Sequence, residues 1–209
     1  MSLDINSKPI FIILTEGKTP VVSQGIRFFT GCSYTHASIS FDPYLREIYS
    51  FNYNKQESGL IKENLFTLNR SRNIGVFVFF VDRITYKKIR KNFLLYLHHK
   101  EETKFSFTRL FLKIFGKGKE RNKYHQVCSS FVDGILKDAG INITEKNIKL
   151  VSPGEIYKGI ENNKTIYPLY YGNSLDFDAI IMKTKLNKMY KNTKYKEYIN
   201  YINEILNYY

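Results

Sequence analysis

Cys128 stands in the stretch KYHQVCSSFVDGILKDAG, where a polar loop runs into an amphipathic segment. The spacing predicts a helix over residues 128–139, with Phe131, Val132, Ile135, Leu136 and Ala139 as its core stripe and Gly140 as its stop. A thiol in the first turn of a helix meets unpaired backbone N–H groups and the positive end of the helix dipole. Both favour the thiolate and lower the thiol pKa. The N–H groups of Cys128 and Ser129 are then placed to receive a developing oxyanion. The remaining requirement is a base, and histidine titrates close to neutral pH. His98 and His99 are adjacent at a helix end, and His125 would have to fold back to reach Cys128. His36 is the best candidate, because the run THASISF alternates: His36, Ser38 and Ser40 face one way and Ala37, Ile39 and Phe41 the other.

A base of this kind needs a third group to fix its tautomer. With a hairpin loop over residues 42–46, His36 falls opposite Asn52 and Ser38 opposite Ser50, so Asn52 or Ser50 is expected to orient the imidazole. Two other chemistries fit less well. The stretch Glu16-Gly17-Lys18-Thr19 ends like a phosphate-binding loop, but Ile12 occupies the position where that loop needs a glycine. Cys32 could approach Cys128 as a disulfide partner or join His36 and His125 at a metal. No ligand spacing supports the latter, so Cys32 is expected as a packed loop residue, with neither metal nor cofactor.

These side chains need a frame. Pro9 to Thr15 and Ile74 to Val81 are continuous apolar runs and predict fully buried strands. Residues 35–41 and 47–53 predict a hairpin turning at Asp42-Pro43. Helices are expected over 23–30, 84–98 (core face Ile89, Phe93, Leu94 and Leu97) and 107–115, with a basic loop over 116–123. Late strands are expected over 165–171 and 177–182. The pattern over 183–209 is a basic, tyrosine-rich amphipathic helix that docks on the domain or meets a membrane surface or partner. The expected class is α+β: a central antiparallel sheet packed against the cysteine-bearing helix, with residues 1–182 as the catalytic domain and 183–209 as a tail.

The chain has 209 residues, 43% hydrophobic and 16% aromatic, which supports a folded core and excludes global disorder. Its apolar runs fall far short of the roughly 20 residues a membrane helix needs. The start MSLDINSKP lacks the basic opening of a signal peptide, so a cytoplasmic protein is expected, with phage packaging or another export route left open. Lys and Arg number 32 against 19 acids, a net charge of +13, which favours polyanionic partners: membrane surface, cell wall or nucleic acid.

The motifs THASISFD, EIYSFNY, QVCSSFVDGILKDAG and VSPGEIY, in that order, resemble the permuted papain-like hydrolases, the YiiX-like relatives of the NlpC-type peptidases. The similarity spans about residues 9–172 and includes the permuted order, histidine before cysteine. It implies a circularly permuted papain-like fold, Cys128 as nucleophile and His36 as base. The implied reaction is an amidase or peptidase reaction through a Cys128 thioester, on a cell-wall peptide or a lipid-linked amide. The third polar residue of that family is often a glutamate on the strand after the histidine strand, where this sequence offers Ser50 and Asn52. A different class of function fits the charge alone: a catalytically inactive basic module that binds a polyanion.

Overall fold

The computed structural model describes residues 7–16, 32–42, 45–54, 56–63, 68, 73–114, 123–147 and 150–172. The expected helix over 23–30, the strand over 177–182, the tail over 183–209 and most of the basic loop lie outside them.

The protein is mixed α+β. Its strands are β1 (Lys8–Thr15), β2 (His36–Ser40), β3 (Ile48–Tyr53), β4 (Ser58–Glu63), β5 (Ile74–Val81) and β8 (Tyr167–Gly172). These six form one antiparallel sheet in the order β4-β3-β2-β1-β5-β8. Two short strands, β6 (Lys104–Phe105) and β7 (His125–Gln126), pair in parallel beside it. The helices are α1 (Arg83–His98), α2 (Phe107–Ile114), α3 (Cys128–Lys137) and α4 (Pro153–Asn162). None of the described helices is long and apolar enough to cross a membrane.

Strands β1 and β5 are buried on both faces, which is why their sequences are continuously apolar rather than alternating. On one face Ile10, Ile12, Leu14, Ala37, Ile39, Phe51, Phe77 and Phe79 join Phe131, Val132, Ile135 and Leu136 of α3 and Ile89, Phe93 and Tyr96 of α1. On the other face Phe11, Ile13, Ile48, Val76 and Val78 form a second cluster with Leu45, Leu68 and Leu169. Leu45 takes a left-handed backbone conformation (φ 55°) in the β2–β3 loop, and its fully buried side chain anchors that turn in the second cluster.

Two corrections follow. The core face of α1 is Ile89, Phe93 and Tyr96, while Leu94 and Leu97, expected inside, are exposed. Strand β4 was not anticipated, although it completes the edge of the sheet next to the hairpin. Asn54 makes the turn into it, its side-chain oxygen accepting from the backbone N–H groups of Gln56 and Glu57. Gly59, the second residue of the strand, lies opposite Asn52 with φ 114°, and a Cβ at that position would run into the backbone carbonyl and hydroxyl of Thr103. The Thr103 hydroxyl itself accepts from the Leu60 N–H. Gly59→Ala is therefore expected to destabilise the chain by about 1–3 kcal/mol, read as a lower urea midpoint with an unchanged slope.

Candidate active site

Helix α3 begins at Cys128, and its N-cap, Val127, has no side chain able to accept a hydrogen bond. The first intrahelical bond runs from the Phe131 N–H to the Val127 carbonyl. The N-cap residue thus offers no side-chain acceptor to the N–H groups of the first turn, which include those of Cys128 and Ser129. The Ser129 hydroxyl is turned away and donates to the Val151 carbonyl at 2.6 Å, tying the helix start to the chain just before α4. The apolar stripe of α3 packs on β2 and β3, which presses the helix tip towards the end of β2 that carries His36.

His36 is the first residue of β2 and lies opposite Thr15 of β1. Its side chain hydrogen-bonds to the Cys128 side chain. Strand and helix thus bring together the two residues that the sequence pairs, although they are far apart along the chain. Cys128 is 8% exposed and the His36 side chain 13%, so the pair is sheltered but keeps an opening to solvent.

The third group at the imidazole is Glu63. Its Oε1 lies 2.9 Å from His36 Nε2. The β2–β3 register is the expected one, Ile39 opposite Tyr49 and Ser40 opposite Ile48, but the paired stretch ends there, before His36 and Asn52. Asn52 therefore reaches the ring only indirectly: its Nδ2 donates to Glu63 Oε1 at 2.9 Å. Ser50, the other expected orienter, is fully buried, and its hydroxyl has no hydrogen-bond partner among the described residues. Ser38 supplies the remaining contact, donating to Glu63 Oε2 at 2.6 Å and lying 3.2 Å from His36 Nε2. A buried carboxylate is thus held by an imidazole, an amide and a hydroxyl, the kind of satisfied polar network that tolerates low dielectric.

The electrostatics are those of an ion pair. Burial by itself pushes the His36 pKa down, but the charges of Glu63 and Cys128 and the hydrogen bonds to both raise it well above its ordinary value. Burial pushes Glu63 up, and the His36 charge with the bonds from His36, Ser38 and Asn52 brings it down to about 2. An imidazolium held between a carboxylate and a sulfur favours the thiolate, the reactive form of cysteine.

The other candidates stand apart. His98 is exposed, His99 pairs with Glu102 at 2.7 Å, and His125 is exposed on β7. Cys32 packs against the main core cluster, and among the described residues neither it nor Cys128 is in a disulfide. No group of three or more metal-ligating side chains forms among the described residues. The sequence reading missed Glu63 and Ser38. The signal available for Ser38 was its place two residues after His36 on the polar side of β2; for Glu63 it was a second hairpin after Asn54. Compared with protein-family models and with curated proteins, the chain gives no match, so its functional reading rests on this geometry.

Proposed function

We propose that the protein is a thiol hydrolase that cleaves an amide or ester bond through a thioester on Cys128. The observation that carries this reading is the contact between the Cys128 thiol, at a helix start, and a His36 imidazole fixed by Glu63. In this scheme the Cys128 thiolate attacks the substrate carbonyl carbon. The first-turn N–H groups of Cys128 and Ser129 receive the negative charge on its oxygen. The carbon–nitrogen or carbon–oxygen bond then breaks, and His36 hands its proton to the departing amine or alcohol. Neutral His36 next takes a proton from water, whose oxygen attacks the thioester and releases the acid and the thiol. Glu63 keeps the ring in one orientation throughout, held in turn by Ser38 and Asn52.

Two of these features support a permuted papain-like fold, the histidine strand before the cysteine helix and the helix packed on the sheet, whereas Glu63 lies one strand later than the family's glutamate. The substrate class that goes with that reading is a wall peptide or a lipid-linked amide. A direct test uses p-nitrophenyl acetate as an acyl donor. Mass spectrometry is expected to find acetyl on the Cys128 peptide, removable by hydroxylamine, and Cys128→Ala should abolish it. Acetylation confined to Cys32 or to lysines would count against the proposal.

A further inference from the structure

Helix α1 carries a second feature that the thiol chemistry does not use. Its sequence, RITYKKIRKNFLLYLH, contains five Lys or Arg and no acid. The one adjacent carboxylate, Asp82, is committed as the N-cap, accepting from the N–H groups of Ile84 and Thr85 and from the Thr85 hydroxyl. Lys87, Lys88 and Lys91 are exposed and form no salt bridge among the described residues. Arg90 is fixed by stacking over the Phe41 ring at 4.8 Å and the Phe93 ring at 5.5 Å.

An open groove of about 510 Å³ runs along this flank, lined by Tyr86, Lys87, Arg90, Lys91, Leu94 and Leu95. None of these residues belongs to the Cys128–His36 site. The lining is ordered: successive turns, about 5.4 Å apart, present Tyr86 with Lys87, then Arg90 with Lys91, then Leu94 with Leu95. Cations therefore occupy one end of the groove and leucines the other. Leu94, Leu95 and Leu97, with Ile84 at the start of the helix, are among the few large apolar side chains left exposed among the described residues. A solvated helix has no need of leucines there, and a nucleic acid would engage the lysines and leave the leucines without a partner. An anionic lipid leaflet offers both components in the same order, phosphates at the surface and acyl chains below.

We infer that α1 is a membrane-docking helix for an anionic bilayer, its lysines on the headgroups and Leu94 and Leu95 in the acyl boundary. This inference is independent of the hydrolase reading, since it uses none of the site residues. The test is co-sedimentation of the full chain with phosphatidylcholine vesicles, with and without phosphatidylglycerol. Binding is expected only to the anionic vesicles and should fall steeply with salt. Lys87→Glu with Lys91→Glu is expected to weaken it at least tenfold. Leu94→Ser with Leu95→Ser is expected to weaken it severalfold while leaving retention on DNA unchanged. All four positions are exposed, so circular dichroism should show the wild-type fold, and Cys128→Ser should bind as wild type does. Vesicle binding unchanged by both double variants would overturn the inference. So would strong retention on DNA, lost with the lysine pair, from a chain that ignores anionic vesicles.

Discussion

His36→Gln is expected to slow turnover of an activated ester by roughly 10²–10⁴-fold while leaving the fold intact, the loss typical of removing a general acid–base group. Glutamine retains an N–H that can donate to Glu63, so the buried carboxylate keeps a partner and the variant isolates the chemistry. The imidazole does two things that no other residue at the site can do. In the proposed scheme it holds a positive charge against the sulfur, and it delivers a proton to the leaving group. Acyl transfer to Cys128 and release from it should therefore both slow. Equal loss with His125→Gln, which lies on β7, would show that the defect is not specific to the site.

The second large effect is expected at Glu63. Glu63→Leu removes a buried acceptor from three donors at once, His36, Ser38 and Asn52, and breaking a buried pair in this way costs about 3–5 kcal/mol. Glu63→Gln is milder, because shape and one acceptor remain, and it reports on charge. Without the carboxylate the His36 pKa falls, so the alkaline limb of the activity profile should move to lower pH. Stability should follow the same charges. His36 in the folded chain sits above its ordinary 6.5, so its contribution is complete below that pH and is lost as pH rises through the folded value. Glu63 sits below its ordinary 4.5, so its contribution is complete above that pH and is lost as pH falls towards about 2. The stability gap between wild type and Glu63→Gln is thus expected to be widest between pH 4.5 and 6.5 and to narrow on either side. A gap independent of pH in urea titrations would contradict the ion pair.

Cys128 and His36, which carry the proposed chemistry, were legible because each lies on an element with a clear period. Alternation in β2 put His36 on the polar side of its strand, and the stripe of α3 put Cys128 at a helix start. Even the β2–β3 register followed from the length of the hairpin loop. Glu63 was not legible, for a physical reason. Strand β4 reads SGLIKE, with two neighbouring apolar residues and then two charges, so it shows no alternation, and a glutamate there reads as solvent-facing. Only the order of strands, with β4 beside β3, reveals that this carboxylate turns inwards beneath the imidazole. The lower half of α1 misled for a related reason. Leu94 and Leu97 fit a helical apolar stripe, yet the sheet accepts only the narrower line Ile89, Phe93 and Tyr96. The two leucines that were assigned to the core are left on the surface, where one of them lines the proposed docking groove.

The pH dependence of Cys128 alkylation by iodoacetamide tests the pairing of thiol and imidazole most directly. Peptide mapping separates Cys128 from Cys32, the only other cysteine. If the sulfur is a thiolate held by imidazolium, Cys128 should react rapidly already at pH 6, and His36→Gln should remove that reactivity and leave labelling that rises only near the ordinary thiol pKa of about 8.5. Slow labelling of the wild-type chain at pH 6, with the same profile in His36→Gln, would contradict it.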